Sequence, residues 1–306
     1  MTFSIHTFEL TKRMETDGKK RRKTSKLTKG MQLEEKDNGY YRQKLLIVNP
    51  SKILGGDDLN LWKPNSDNVS KLIKKLEKYI DDYFNSEYSL DEFELTRCDF
   101  TVNIRTNSKK KVTAYIKIMH NTGKVSGFSL KYDEEDYSDK INIDGSFDLV
   151  DTNGIELTLY DKFDQCQREE ASGILRVEVR LMKKKAIRKY TDKTHVEKQI
   201  VDLAKKSKKI FMETFMRTVP PGDYYTIKQA TKLIENKVSK KKQREKMLLL
   251  LRLTRKESLF DALKKLGDKN SYRILAKFAE IGLSPVTLRK KYGVKELKSL
   301  YSYLAP

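Results

Sequence analysis

Two stretches of the chain alternate apolar and polar side chains with a period of two, a pattern that marks a half-buried β-strand and rules out a helix. In FELTRCDFTVNI (93–104), Thr96, Cys98, Phe100, Val102 and Ile104 point one way, and Arg97, Asp99, Thr101 and Asn103 the other. In GILRVEVRLMKKKA (173–186), Leu175, Val177, Val179 and Leu181 oppose Arg176, Glu178 and Arg180. A sheet built on such strands has one face for a core and a second, charged face left as a working surface.

Other segments fit around that sheet. Residues 2–10 alternate loosely and read as a first strand, KLLIVNPSKIL (44–54) as a buried strand broken by Pro50, and GIELTLYDKF (154–163) as another strand. GFSLKYDEEDY (127–137) reads as a short strand running into an acidic loop, and GKKRRKTSKLTKG (18–30), with Leu27 as its one apolar residue, as an exposed loop that either touches phosphates or is a disordered hairpin tip or a localisation-like cluster. Residues 67–84 place Val69, Leu72, Ile73, Leu76, Ile80 and Phe84 at helical spacing behind Asp67 or Ser70 as N-cap, and 110–121 suit a second helix. Strands and helices mixed in this way predict an α+β domain over residues 1–190 around a mainly antiparallel sheet.

From about residue 194 the pattern turns helical, over 194–217, 226–238, 240–253, 257–266 and 270–281, which predicts an all-α domain over 191–306. Its closing part has the outline of a helix-turn-helix within 270–300. The second helix, roughly 285–291, presents Thr287, Arg289, Lys290 and Lys291 as nucleic-acid contacts. A length of 306 residues accommodates two such domains.

The charge is divided the same way. Residues 1–182 carry 31 Lys and Arg against 31 Asp and Glu, whereas residues 183–306 carry 33 against 12, so all of the net charge of +21 lies in the last part. A domain so charged repels itself unless a polyanion neutralises it, which points to DNA or RNA. A membrane-surface helix would set its cations opposite Trp, Phe and Leu, but here they are spread over several helices and the one Trp is at position 62. No run of about 18 apolar residues and no signal-like N-terminus occurs, so an intracellular, cytoplasmic protein without a membrane partner is expected.

Cys98 and Cys166 form no C-x-x-C pair, and His6, His120 and His195 are too scattered for a zinc motif or a Ser-His-Asp triad. Gly55 and Gly56 precede two aspartates, not a P-loop lysine. Asp99, flanked by Arg97, and Glu178, flanked by Arg176 and Arg180, are open to two readings. They are ligands of Mg²⁺ or Mn²⁺, which prefer oxygen donors, or they are members of a cross-strand ion-pair ladder. Tyr132 and Tyr137 stand in the acidic loop after a strand, and a tyrosine phenolate is suited to a reversible covalent link with DNA.

Taken in order, LTRCDFTVNI, LTLYDKFDQ and ILRVEVRLMKKKA resemble the R-x-D, Y-[DE]-K and R-x-E-x-R/L strands of rolling-circle replication proteins. The likeness is to the filamentous-phage replication protein II/X group, and more loosely to Gram-positive plasmid initiators. It spans about residues 45–190, with a looser match at IGLSPVTLRKKYGV. The resemblance implies an endonuclease that nicks one strand at an origin in concert with host replication proteins, stays joined to the 5′ phosphate through a tyrosine, and leaves a 3′ hydroxyl. It implies Asp99 and Glu178 as metal ligands, Lys162 as a phosphate contact, and Tyr132, then Tyr137, then Tyr160 as nucleophile. The His-hydrophobic-His motif of many such nucleases is absent. A relaxase of a mobile element shares this chemistry, and a DNA-binding regulator without catalysis would use the same basic domain.

Overall fold

The computed structural model describes residues 1–16, 18–131 and 145–304, apart from the side chains of 268–270. Tyr132 and Tyr137 lie outside the described residues. The two alternating stretches form β5 (Glu94–Arg105) and β9 (Ile174–Leu181), which pair antiparallel with Thr101 opposite Glu178 and Asp99 opposite Arg180. Seven further strands extend the sheet on both sides: β1 (Ser4–Met14), β2 (Arg21–Thr28), β3 (Met31–Asp37), β4 (Arg42–Val48), β6 (Ser129–Leu130), β7 (Ser146–Val150) and β8 (Ile155–Asp161). Their order is β2-β3-β4-β1-β5-β9-β8-β7-β6, with every neighbouring pair antiparallel.

One face carries the core. Phe8 and Leu10 of β1, Phe100, Val102 and Ile104 of β5, and Leu175, Val177 and Val179 of β9 are fully buried. Helix α2 (Ser66–Phe84) buries the six apolar residues that its spacing predicts, and α3 (Lys109–Thr122) packs against β7 and β8. The N-cap of α2 is Asn65, whose side chain accepts from the Asn68 amide, and not Asp67 or Ser70. Helix α6 (Val196–Thr218) lies across β1, β5, β8 and β9, so the first helix of the basic part covers the sheet. Helices α7 (Ile227–Lys237), α8 (Lys241–Leu253), α9 (Leu259–Leu266) and α10 (Asp268–Glu280) follow it, and α9 reaches back to α3.

Three local expectations change. Residues 21–28 are not a loop but the edge strand β2, exposed over much of its length. A charged edge strand has no buried face to impose alternation and resists pairing with other chains, so it reads as a loop. The strand at 44–54 ends at Val48, and Pro50 opens a one-turn helix, α1 (Pro50–Ile53), capped by Asn49. A proline suits the first turn of a helix, where its missing amide is not needed.

The helix expected over 285–291 does not form. That segment runs extended, bridged in parallel from Leu283 to Asp223 and from Leu288 to Thr226. The Ser284 and Leu288 amides donate to the Asp223 and Tyr225 carbonyls. With those amides engaged and Pro285 supplying none, the only helical turn is a 3-10 turn over Lys290–Tyr292. The helix-turn-helix outline is therefore not a helix-turn-helix.

The turn between β2 and β3 is pinned to α1. The Asn49 amide donates to the Gly30 carbonyl at 2.7 Å, and Gly30 has φ of +101°. A Cβ there would meet Lys52 Cβ at 2.7 Å and the Ile53 amide nitrogen at 2.9 Å. Gly30→Ala is expected to lower stability by about 1–3 kcal/mol, measured as a shift in the urea midpoint at constant slope. An unchanged midpoint contradicts the tight docking of this turn.

Candidate active site

Because side chains alternate, the strand positions that do not face the helices gather on one surface. These include Glu9 of β1, Arg97, Asp99, Thr101 and Asn103 of β5, Arg176, Glu178 and Arg180 of β9, and Glu156, Thr158 and Tyr160 of β8. Asp99 and Glu178 are diagonal neighbours on it, which brings together the two carboxylates singled out from the sequence.

Each carboxylate is already matched by a guanidinium. Arg97 grips Asp99 with two hydrogen bonds of 2.6 and 2.8 Å and holds Glu9 at 2.8 Å. Arg180 donates twice to Glu178 Oε2, at 2.7 and 3.0 Å, and stands 3.9 Å from Asp99. The other oxygen of Glu178, Oε1, accepts from the Tyr160 hydroxyl at 2.7 Å. Thus Arg97 and Arg180 form the ion-pair ladder, and Tyr160 is the described sequence candidate that touches it.

Two contributors to the site, His6 and Asp58, gave no sequence signal. The pairing of β1 with β5 slips at His6, which leaves its ring beside β9. Nδ1 of His6 lies 3.7 Å from Glu178 Oε1 and 3.0 Å from Thr7 Oγ1, and Nε2 contacts Arg176 Nη1 at 2.9 Å and Asp58 Oδ1 at 3.8 Å. Arg176, expected on this face and fully buried in it, also donates to Asn103 at 2.8 Å and to the Asp58 carbonyl. Thr101 Oγ1, across from Glu178, is buried with no hydrogen-bond partner among the described residues. Lys162, also singled out from the sequence, is buried at the start of α4 (Lys162–Cys166), where its ammonium donates to Gln165.

These contacts set the protonation states. Burial pushes Glu178 up, but the adjacent His6 ring and the Arg180 and Arg176 guanidinium groups outweigh it and hold the carboxyl down to about 2. Burial raises Asp99 despite Arg97, and the neighbouring Glu178 adds to the rise. Burial and then the Glu178 charge push the Tyr160 phenol well above its ordinary value, so it stands neutral as a donor. Lys162 is brought down to about 8 by burial and by the Arg176 charge. The His6 ring close by, followed by the Lys52 ammonium, holds Asp58 far below the carboxylate range.

A hard dication needs carboxylate oxygens free to bind it. Both Asp99 oxygens are taken by Arg97, Glu178 Oε2 by Arg180 and Oε1 by Tyr160. Among the described residues, no three His, Cys, Asp or Glu side chains are grouped to hold a metal. The arrangement as it stands does not fit Mg²⁺ or Mn²⁺.

The C-terminal candidates are elsewhere. Thr287 is only 5% exposed, which withdraws it from base contact, and Arg289 is engaged by the Asn121 side chain and the Arg255 carbonyl. Lys290 and Lys291 are exposed on the 3-10 turn. Among the described residues no helix is long and apolar enough to cross a membrane.

Glu178 has a depressed folded value, so the stability it adds is complete above the ordinary value of 4.5 and is lost as pH falls toward about 2. Glu178→Gln is expected to cost about 3–5 kcal/mol at pH 7, because it strands buried guanidinium charge. The variant also loses less stability than the wild type between pH 5 and 2. Urea unfolding across that range checks both, and parallel curves for the two proteins contradict the assignment.

A family profile describing the N-terminal region of a phage replication-associated protein matches residues 9–199, which spans β1 through the start of α6 and so contains the whole polar face except His6 and Thr7. No curated protein and no solved structure matches the chain. With a match over more than half of its length, this chain belongs to the family of phage replication-associated proteins that this N-terminal region defines.

Proposed function

We propose that this chain initiates replication by nicking one DNA strand at an origin through a tyrosine phosphodiester, and that it cuts on the polar face of the sheet. The observation that carries this reading is the 2.7 Å hydrogen bond from the Tyr160 hydroxyl to Glu178, set among Arg176, Arg180 and Lys162. A neutral phenol attacks phosphorus only as its proton leaves, and a carboxylate within hydrogen-bond reach takes that proton. In the proposed step Tyr160 Oη bonds to phosphorus while its proton passes to Glu178 Oε1. The bond from phosphorus to the 3′ oxygen breaks, and that oxygen departs as a hydroxyl with a proton supplied by Lys162. The 5′ phosphate stays on the tyrosine, and the guanidinium groups offset charge that builds on the phosphoryl oxygens.

The basic C-terminal part, with 33 Lys and Arg against 12 Asp and Glu, holds the flanking DNA in this reading. Tyr160 stands first as nucleophile, and Tyr132 and Tyr137 belong in the same test. Supercoiled circles carrying the origin, incubated with Mg²⁺, Mn²⁺ or EDTA and then treated with protease, are expected to appear relaxed with peptide on a 5′ end. Tyr160→Phe loses this product and Tyr132→Phe and Tyr137→Phe keep it. The opposite pattern moves the nucleophile, and binding without nicking in every arm means a DNA-binding regulator.

Lys162 supplies a pH signature. Its value near 8 means that it loses its proton between about pH 7 and 9. Nicking is expected to decline through that interval, and Lys162→Arg to shift the decline upward. A rate flat from pH 7 to pH 9 in the wild type removes Lys162 from the reaction.

A further inference from the structure

A cavity of about 510 Å³ opens on the polar face next to His6 and runs toward the edge strand, with Thr7, Gln32, Ile47, Lys26 and Lys29 along it. Its floor follows the strand register: Lys26 pairs with Gln32, Gln32 with Ile47, and Ile47 with Glu9. At its inner end His6 lies 3.7 Å from Glu178, which also holds the Tyr160 hydroxyl. The cavity therefore ends at His6, beside the proposed cutting site, and reaches the sheet edge at Lys26 and Lys29.

Its charges are arranged for a polyanion. Asp58, the acidic group on the wall, is matched by Lys52 at 2.8 Å and by Asn49 at 2.9 Å. Lys26 and Lys29 at the mouth are exposed and have no salt bridge among the described residues. The docking of Gly30 on Asn49 fixes the backbone of the turn that carries Lys29, next to the strand that carries Lys26. Between them and His6 the floor offers the apolar Ile47 and the amide of Gln32, a surface suited to bases and not only to phosphates.

We propose that this trough is a single-stranded DNA track: one strand flanking the cut crosses the sheet over Thr7, Ile47 and Gln32, and its phosphates meet Lys26 and Lys29. The cavity spans β1 to β2, three strand spacings of about 4.8 Å in the sheet order and so a path of about 14 Å, long enough for more than one nucleotide. The proposal rests on the nicking reading for its direction but not for its test.

The test is fluorescence anisotropy of a labelled oligothymidylate bound to the full chain in EDTA, across a salt series. Lys26→Glu with Lys29→Glu is expected to weaken binding by about tenfold and to flatten the slope of log affinity on log salt by about 1.4, two phosphates at about 0.7 each. Lys26→Ala with Lys29→Ala is expected to give the same flattening with a smaller loss, and thermal melts confirm that both variants fold. The control, Lys71→Glu with Lys74→Glu, makes the same charge change on exposed positions of α2, on the helical side of the sheet. Wild-type affinity and slope in the edge-strand variants, or an equal loss in the α2 control, overturns the track. Because no cleavage is needed, a chain that loses binding in the edge variants but never nicks keeps the track and removes the nuclease. A chain that nicks while those variants bind normally does the reverse.

Discussion

The sheet can keep a charged face because its buried carboxylates are matched by neighbouring guanidinium groups. Asp99 is only 1% exposed and Glu178 only 2%, an environment in which an unpaired carboxylate would take up a proton. Arg97 and Arg180 offset that cost in register across β5 and β9, and Arg176 ties β9 to β5 through Asn103 and to the Asp58 segment through its carbonyl. Without that lattice of pairs the face would be an uncompensated charge layer, and β5 and β9 would lose what fixes their side chains. The same lattice leaves Glu178 Oε1 facing Tyr160 and His6, where a carboxylate meets a hydroxyl and an imidazole together.

The apolar face is equally decisive, because it joins the two halves of the chain. Helix α6 lies on strands β1, β5, β8 and β9, while the Tyr115 hydroxyl of α3 donates to the Lys298 carbonyl at 2.7 Å. The basic helices are thereby fixed relative to the polar face on the other side of the sheet. A chain that must hold DNA with one part and act on it with another gains from such rigid coupling, since misplacement of a reacting group by about 1 Å can cost 10²-fold in rate.

What could be read from the sequence follows from which residues were under a strong local constraint. Strands β5 and β9 turn one face to the apolar core, so every second residue had to be apolar and their pattern named Asp99, Glu178 and the arginines beside them. Helix α2 exposes one side and buries Val69, Leu72, Ile73, Leu76, Ile80 and Phe84, and it was legible for the same reason. Strand β2 has no buried face, and His6 reaches Arg176 across 170 residues of chain, so neither the edge strand nor the histidine left a periodic trace. The helix expected over 285–291 gives way to an extended run because the Ser284 and Leu288 amides bond to a distant extended segment, a tertiary choice that local spacing does not encode.

Chemistry at Tyr160 on the polar face is open to one decisive experiment: trapping the covalent adduct on a suicide origin oligonucleotide whose 3′ leaving strand is too short to stay paired, then locating the modified residue by peptide mass spectrometry. The nucleotide is expected on the peptide that contains Tyr160. An adduct on any other tyrosine contradicts it, most plainly on Tyr190, Tyr224 or Tyr301, which belong to the helical side, as does a trapped complex with no covalent adduct at all.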